Sequence, residues 1–110
     1  MTGNEILSSA SALMGFKTPT SEMNEIALTV INSVLEDIAK PPLTSLSAAA
    51  EGLCQNEEQA CLYGTALLLS IAIGDLRSKE CFSPIYNEKR GRVKRSKSYV
   101  TDALPKGELL

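Results

Sequence analysis

The stretch that decides the fold runs Asn56-Glu57-Glu58-Gln59-Ala60-Cys61-Leu62-Tyr63-Gly64-Thr65-Ala66-Leu67-Leu68-Leu69-Ser70-Ile71-Ala72-Ile73-Gly74-Asp75. Asn56 with Gln59 three residues on is a capping-box pattern, so a helix starts near Asn56. From Ala60 to Ile73 no charge appears. A helix of that kind is buried nearly all round. Gly74-Asp75 breaks or caps its end. The apolar run is interrupted by Gly64, Thr65 and Ser70 and is too short to span a bilayer. A 110-residue chain supports one small core. The reading therefore predicts that part of this helix meets another subunit. Gly64 and the Ala and Ser positions permit close approach of a neighbour.

Upstream, Thr2-Gly3-Asn4-Glu5 is a second capping box. Ile6, Leu7, Ala10, Leu13 and Met14 form one apolar stripe on a helix of three turns, with Gly15 as its C-terminal stop and Phe16 folding back. Thr18-Pro19-Thr20-Ser21-Glu22 opens the next helix, where Glu22 and Glu25 suit the positive end of the dipole. Met23, Ile26, Ala27, Val30, Val34 and Ile38 line one face, and Pro41-Pro42 stop it, so the helix is predicted over residues 20–39. Residues 41–55 read as a connection anchored by Leu43, Leu46 and Leu53, with a short helical turn over 47–51 ended by Gly52.

Downstream, Phe82, Ile85, Tyr86, Lys89 and Val93 share a helical face over residues 77–94. Pro84 leaves two options: the helix starts at Ser83 with Pro84 in its first turn, or it is kinked there. Gly91 weakens its end. Ser98-Tyr99-Val100-Thr101 has strand character, and residues 102–107 read as a tail. The expected fold is all-α: a small bundle of three to four helices over residues 1–95, with an extended C-terminal arm over 96–110.

Composition removes most enzyme chemistries. The chain has no His, and therefore no Ser-His or Cys-His dyad and no usual zinc ligand set. Cys54, Cys61 and Cys81 are an odd set with no CxxC spacing, and read as small buried hydrophobes in a reduced compartment. The first seventeen residues show no signal-peptide pattern, and the expectation is a soluble intracellular product. No catalytic, cofactor-binding or metal-binding residue is assigned. Glu57 and Glu58 read as dipole partners of a helix start, Glu36 and Asp37 as a solvated face, Asp75 as a cap, and Tyr63-Gly64 as packing.

Charge is unevenly placed. Residues 1–76 hold nine acids against two bases, a balance of −7, whereas residues 77–97 hold eight bases against two acids, a balance of +6. Lys89, Arg90, Arg92, Lys94, Arg95 and Lys97 form the densest run, flanked by Tyr86 and Tyr99. Three readings compete for it: a solvated helix end whose cations suit the dipole, a protein-docking surface, and a phosphate-contacting patch. No sequence-specific nucleic-acid motif accompanies it.

The order Ala60-Cys61-Leu62-Tyr63-Gly64-Thr65-Ala66, aliphatic run, Gly74-Asp75, Phe82, Tyr86-Asn87-Glu88-Lys89-Arg90 and Asp102-Ala103-Leu104-Pro105 resembles the head–tail connector (adaptor) proteins of tailed bacteriophages. The resemblance covers about four-fifths of the chain by order of elements, and motif-like matches are confined to residues 60–105. It implies a non-enzymatic virion protein at the head–tail junction, made in the host cytoplasm. Such subunits form a ring, usually twelvefold, beneath the portal. They extend the channel for packaged DNA, which they contact non-specifically, and they dock the next neck or tail-completion protein. Carried over, the resemblance puts Tyr86, Lys89 and Arg90 near subunit or channel surfaces, and Asp102, Leu104 and Pro105 on a docking arm. The heavier basic run and Pro84 depart from the family pattern. The alternative is a small helical DNA-binding regulator that uses the basic run 89–97; an enzyme is the weakest of the three.

Overall fold

In a computed structural model the chain is described from residue 1 to 103, with side chains described through Arg95. Four helices follow one another: α1 (Gly3–Leu13), α2 (Ser21–Asp37), α3 (Gln55–Ile73) and α4 (Leu76–Ala103). The all-α bundle expected from the sequence is what forms.

α1 begins as its capping box requires. Glu5 N–H donates to Thr2 Oγ1 at 3.2 Å, and Thr2 N–H donates to Glu5 Oε1 at 2.7 Å. Two more of its unpaired first-turn amides reach the connection between α2 and α3. Gly3 N–H donates to the Ala48 carbonyl at 3.1 Å and Asn4 N–H to the Leu46 carbonyl at 2.8 Å. Gly3 is required there, because a Cβ would lie 2.9 Å from the Leu46 backbone. The predicted helical turn over 47–51 is accordingly absent. That backbone forms a turn and a bridge between Ala49 and Thr2, since pairing with the start of α1 satisfies groups that one short helical turn would leave open. Asn32 fastens the same connection to α2, its side-chain amide exchanging hydrogen bonds with both backbone groups of Leu43 at 3.0 and 2.7 Å.

α2 is capped by Thr20, whose Oγ1 accepts from Met23 N–H at 3.2 Å. The start of α3 differs from the sequence reading. Its cap is Cys54 with Glu57, not Asn56 with Gln59: Cys54 N–H donates to Glu57 Oε1 at 2.9 Å, and Lys40 Nζ lies 3.1 Å from Glu57 Oε2. A cation from the end of α2 selects Glu57, which is nearly buried, and no local pattern announces that partner.

α1, α2 and α3 close on the same device. The amides of Phe16, Lys40 and Asp75 reach back to the carbonyls of Ser11, Leu35 and Ser70 at 2.8–2.9 Å across a left-handed residue. That residue is Gly15, Ala39 and Gly74 respectively, with φ of 94°, 61° and 78°.

α4 follows α3 as an antiparallel hairpin. Asp75 caps it, accepting Ser78 N–H at 3.1 Å and Ser78 Oγ–H at 2.7 Å. The helix therefore starts at Leu76, not Ser83, and Pro84 lies inside it. Pro84 removes one amide from the ladder, but its ring and Glu80, whose carbonyl loses that donor, both lie on the solvent side of the helix, where an unpaired carbonyl costs little. Residues 98–101, read from sequence as strand-like, belong to α4. β-branched residues such as Val100 and Thr101 carry a strand preference only where another strand is available to pair, so the helix continues through position 95/96.

α3 is the central element, packed against each of the other three helices. Buried Ile6, Ile31, Val34, Leu35, Ile38, Ala60, Cys61 and Val93 make one half of the core. Leu7, Ala10, Met23, Ala27, Val30, Ala66, Leu69 and Phe82 make the other. The uncharged surface of α3 is thus covered over most of its length by the chain's own helices. Among the described residues the large apolar side chains left exposed are Leu13, Ile71 and Leu76.

Candidate functional site

The inward face of α4 carries Phe82, Ile85, Tyr86, Lys89 and Val93, as the helical spacing predicts. Tyr86 is the pivot. Its ring lies over Gly64 of α3, where a built Cβ would come within 2.6 Å of the ring and 2.8 Å of Val34 Cγ1 on α2. The close approach expected of Gly64 is made, but by the chain's own Tyr86 and Val34. The Tyr86 hydroxyl then donates to Asp37 Oδ2 at 2.6 Å, and Arg90 Nε donates to the same oxygen at 2.5 Å. α2, α3 and α4 therefore meet at one polar knot.

The electrostatics of the knot are mutually consistent. Partial burial works to raise the Asp37 carboxyl, but hydrogen bonds from Tyr86 and Arg90, with the charges of Arg90 and Lys94, outweigh it and hold the group below its ordinary value. Burial, then the bond to Asp37, pushes the Tyr86 phenol up. The hydrogen bond to Asp37 likewise raises Arg90. Asp37 and Arg90 are each 36% exposed, so solvent screens the ion pair and it adds little to stability by itself. Its larger role is to set where α4 sits on α2.

The rest of the basic run divides into committed and free charges. Lys89 Nζ stands 5.9 Å from the centre of the Tyr63 ring, a cation–π contact; that ring in turn meets Phe82 at 6.1 Å. Arg92 pairs with Glu88 one turn back at 2.7 Å, both half exposed. Lys94 and Arg95 are exposed and form no ion pair among the described residues. Of the residues singled out from sequence, Tyr86, Lys89 and Arg90 thus face inward and hold the bundle together. Arg92, Lys94 and Arg95 face outward. Lys97, Tyr99 and Asp102 fall on the helical backbone, but their side chains lie outside the described residues, as do Leu104 and Pro105 altogether.

The sequence reading missed Asp37. It reads there as one half of a solvated acidic pair; the tertiary structure turns it inward beneath α4, and its offset from the apolar stripe of α2 was the only available signal. Lys40 was read only as a helix-end cation, and it is the partner of nearly buried Glu57. Burial resists the Glu57 charge, but the Cys54 amide and Lys40 prevail and hold its carboxyl below the ordinary value.

Two open grooves flank the outer face of α2. One is lined by Thr29, Asn32, Ser33, Glu36, Ala39, Lys40 and Pro42, the other by Ser33, Val34, Glu36, Asp37, Leu68 and Tyr86. The burial expected of the three cysteines holds for Cys61 alone, where it pushes the thiol up to about 11; Cys54 and Cys81 are exposed, the first at the cap of α3 and the second on the solvent side of α4 beside inward Phe82. Among the described residues there is no cluster of three or more His, Cys, Asp or Glu side chains placed to hold a metal ion, and no helix is long and apolar enough to cross a membrane. No protein-family model, curated protein or solved structure matches the chain.

Proposed function

We propose that the chain is a structural, non-enzymatic subunit of a tailed-bacteriophage head–tail connector. In this reading copies assemble as a ring beneath the portal protein at the head–tail junction. The ring extends the channel for packaged DNA and offers a platform to a neck or tail-completion protein. The observation that supports it is the form and charge of α4. The helix has 28 residues against 19 in α3, so it outruns its partner by about 13 Å at 1.5 Å per residue. At that end stand Lys94 and Arg95, exposed cations that form no ion pair among the described residues. The preceding three helices carry an excess of acid. A projecting basic element on an acidic body favours head-to-tail contact between identical copies, and such contact closes into a ring when the rotation allows.

The test is the mass of the purified protein by light scattering, alone and with a portal protein, followed by electron microscopy of any assembly. A ring, free or formed only on the portal, is the expected result. A stable monomer that ignores the portal but binds duplex DNA in a salt-dependent manner overturns the proposal in favour of a DNA-binding regulator.

A further inference from the structure

Among the described residues the outer face of α2 has no partner in the bundle, and its charge is of one sign. The helix carries Glu22, Glu25, Glu36 and Asp37 and no Lys or Arg. Asp37 turns toward α4, where Tyr86 and Arg90 engage it. Glu22, Glu25 and Glu36 are exposed, form no ion pair among the described residues, and share the side opposite buried Met23, Ala27, Val30 and Val34. Glu25 and Glu36 are eleven residues apart, about 16 Å along the axis. Glu36 stands where the two flanking grooves meet, so the face is relieved on both sides.

The same chain holds the complementary charge, but out of its own reach. α2 lies parallel to α4: Met23 shares a core cluster with Phe82, and Asp37 pairs with Arg90. Glu25 stands twelve residues before Asp37, so along the axis it is about 18 Å from the level of Arg90 and about 24 Å from that of Lys94. Lys94 acts on Asp37 at the far end of its own α2, but Lys94 and Arg95 cannot fold back onto Glu22 and Glu25 at its start. A second copy displaced along the bundle axis can bring them there.

We propose that the outer face of α2 receives, at its start, the basic end of α4 from another copy of this chain, with Lys94 and Arg95 set against Glu22 and Glu25. The contact is heterologous, since donor and acceptor surfaces differ, and it propagates from copy to copy. It deepens the connector reading, on which it rests, by naming both halves of the subunit joint. Exposed ion pairs are individually weak and are screened by salt, so association of the free protein rises with concentration and falls with ionic strength.

The experiment uses the full chain and three variants: Glu22→Lys/Glu25→Lys, Lys94→Glu/Arg95→Glu, and the two sets combined. All substituted positions are exposed, and unchanged helix content with a cooperative melting transition establishes that each variant folds. Sedimentation at low salt is expected to show association of the parent chain. Each charge-reversed variant alone associates at least about tenfold more weakly, because like charges then face each other. An equimolar mixture of the two recovers association, and so does the combined variant, because in both cases every joint again pairs opposite signs. If the parent chain associates and the reversed variants associate equally well, this joint is wrong while the connector reading stands. If the parent chain is monomeric at every concentration, this joint is also overturned, and assembly on the portal alone then decides the connector reading. If Lys94→Glu/Arg95→Glu abolishes duplex DNA binding without altering association, the basic end serves nucleic acid and the proposal fails.

Discussion

Two glycines sit inside helices, Gly64 in α3 and Gly91 in α4, and replacing each by Ala is predicted to have opposite effects. The local gain is the same in both: Ala is favoured over Gly in a helix interior by about 0.5–1 kcal/mol. At Gly91 a Cβ would meet only the end of the Arg95 side chain, 3.1 Å from Nη1, and that flexible group can move aside. Gly91→Ala should therefore stabilise the fold by nearly the full local gain, raising the melting temperature by roughly 2–5 °C. At Gly64 a Cβ would lie 2.6 Å and 3.0 Å from two Tyr86 ring carbons and 2.8 Å from Val34 Cγ1. The ring cannot easily retreat, because its hydroxyl is bound to Asp37. Overpacking of this kind costs about 1–3 kcal/mol, which exceeds the local gain. Gly64→Ala should destabilise the protein by up to about 2 kcal/mol, placing the two variants about 1–3 kcal/mol apart. Urea unfolding followed by far-UV circular dichroism measures both, with unchanged slope as evidence of two-state behaviour. Repeating Gly64→Ala in a Tyr86→Leu background should shrink its cost, since one of the two obstructing groups is gone. If Gly64→Ala stabilises as much as Gly91→Ala, Tyr86 does not pack across α3, and the account of how α4 is seated on α2 and α3 is wrong.

Ala39→Gly should stabilise the fold by about 0.5–1 kcal/mol, because the left-handed conformation costs an alanine about 1–2 kcal/mol and glycine returns part of that gain as unfolded-chain entropy; a lower melting temperature would contradict the cap geometry. Gly3→Ala should destabilise by about 1–3 kcal/mol by forcing α1 off the Leu46 backbone, and faster hydrogen exchange at the Asn4 amide is the accompanying sign. Asp37 and Glu57 both have carboxyls held below their unfolded values of 3.8 and 4.5, so their contribution is fully present above pH 4.5 and is lost as pH falls through the folded values. Lys40→Met should cost about 1–3 kcal/mol at neutral pH by leaving Glu57 charged, nearly buried and without its cation, and that deficit should narrow in acid; a deficit independent of pH would show that the pair is not the cause.

Much of the bundle was legible because it rests on short-range rules. The Thr2–Glu5 capping box, the Thr20 start of α2, the stops at Gly15 and Gly74 and the Asp75 cap all use residues within a few positions of one another. The inward stripe of α4 was equally legible, since Phe82, Tyr86 and Val93 repeat at helical spacing. The connection over 47–51 was not, because its backbone is satisfied by Met1 and Gly3, more than forty positions earlier in the chain. The cap of α3 was misassigned for the same reason: Asn56 with Gln59 is as good a local pattern as Cys54 with Glu57, and Lys40 breaks the tie from the end of α2.

The site shows the same division. Composition and charge order alone marked residues 89–97 as the polar feature of the chain. Which of those cations are available was decided by tertiary structure: Arg90 is engaged by Asp37, Lys89 by Tyr63 and Arg92 by Glu88, leaving Lys94 and Arg95 outward. The sequence also determined that α3 would be buried, through fourteen residues without a charge. The fold decided by what: α1, α2 and α4 of the same chain cover it, with Tyr86 filling the space that Gly64 leaves. Local patterns determine where helices begin, end and bury a face, because those terms act within one or two turns. Which side chain meets which across α2, α3 and α4 depends on packing between residues some fifty positions apart, and only the assembled bundle sets that distance to bonding range.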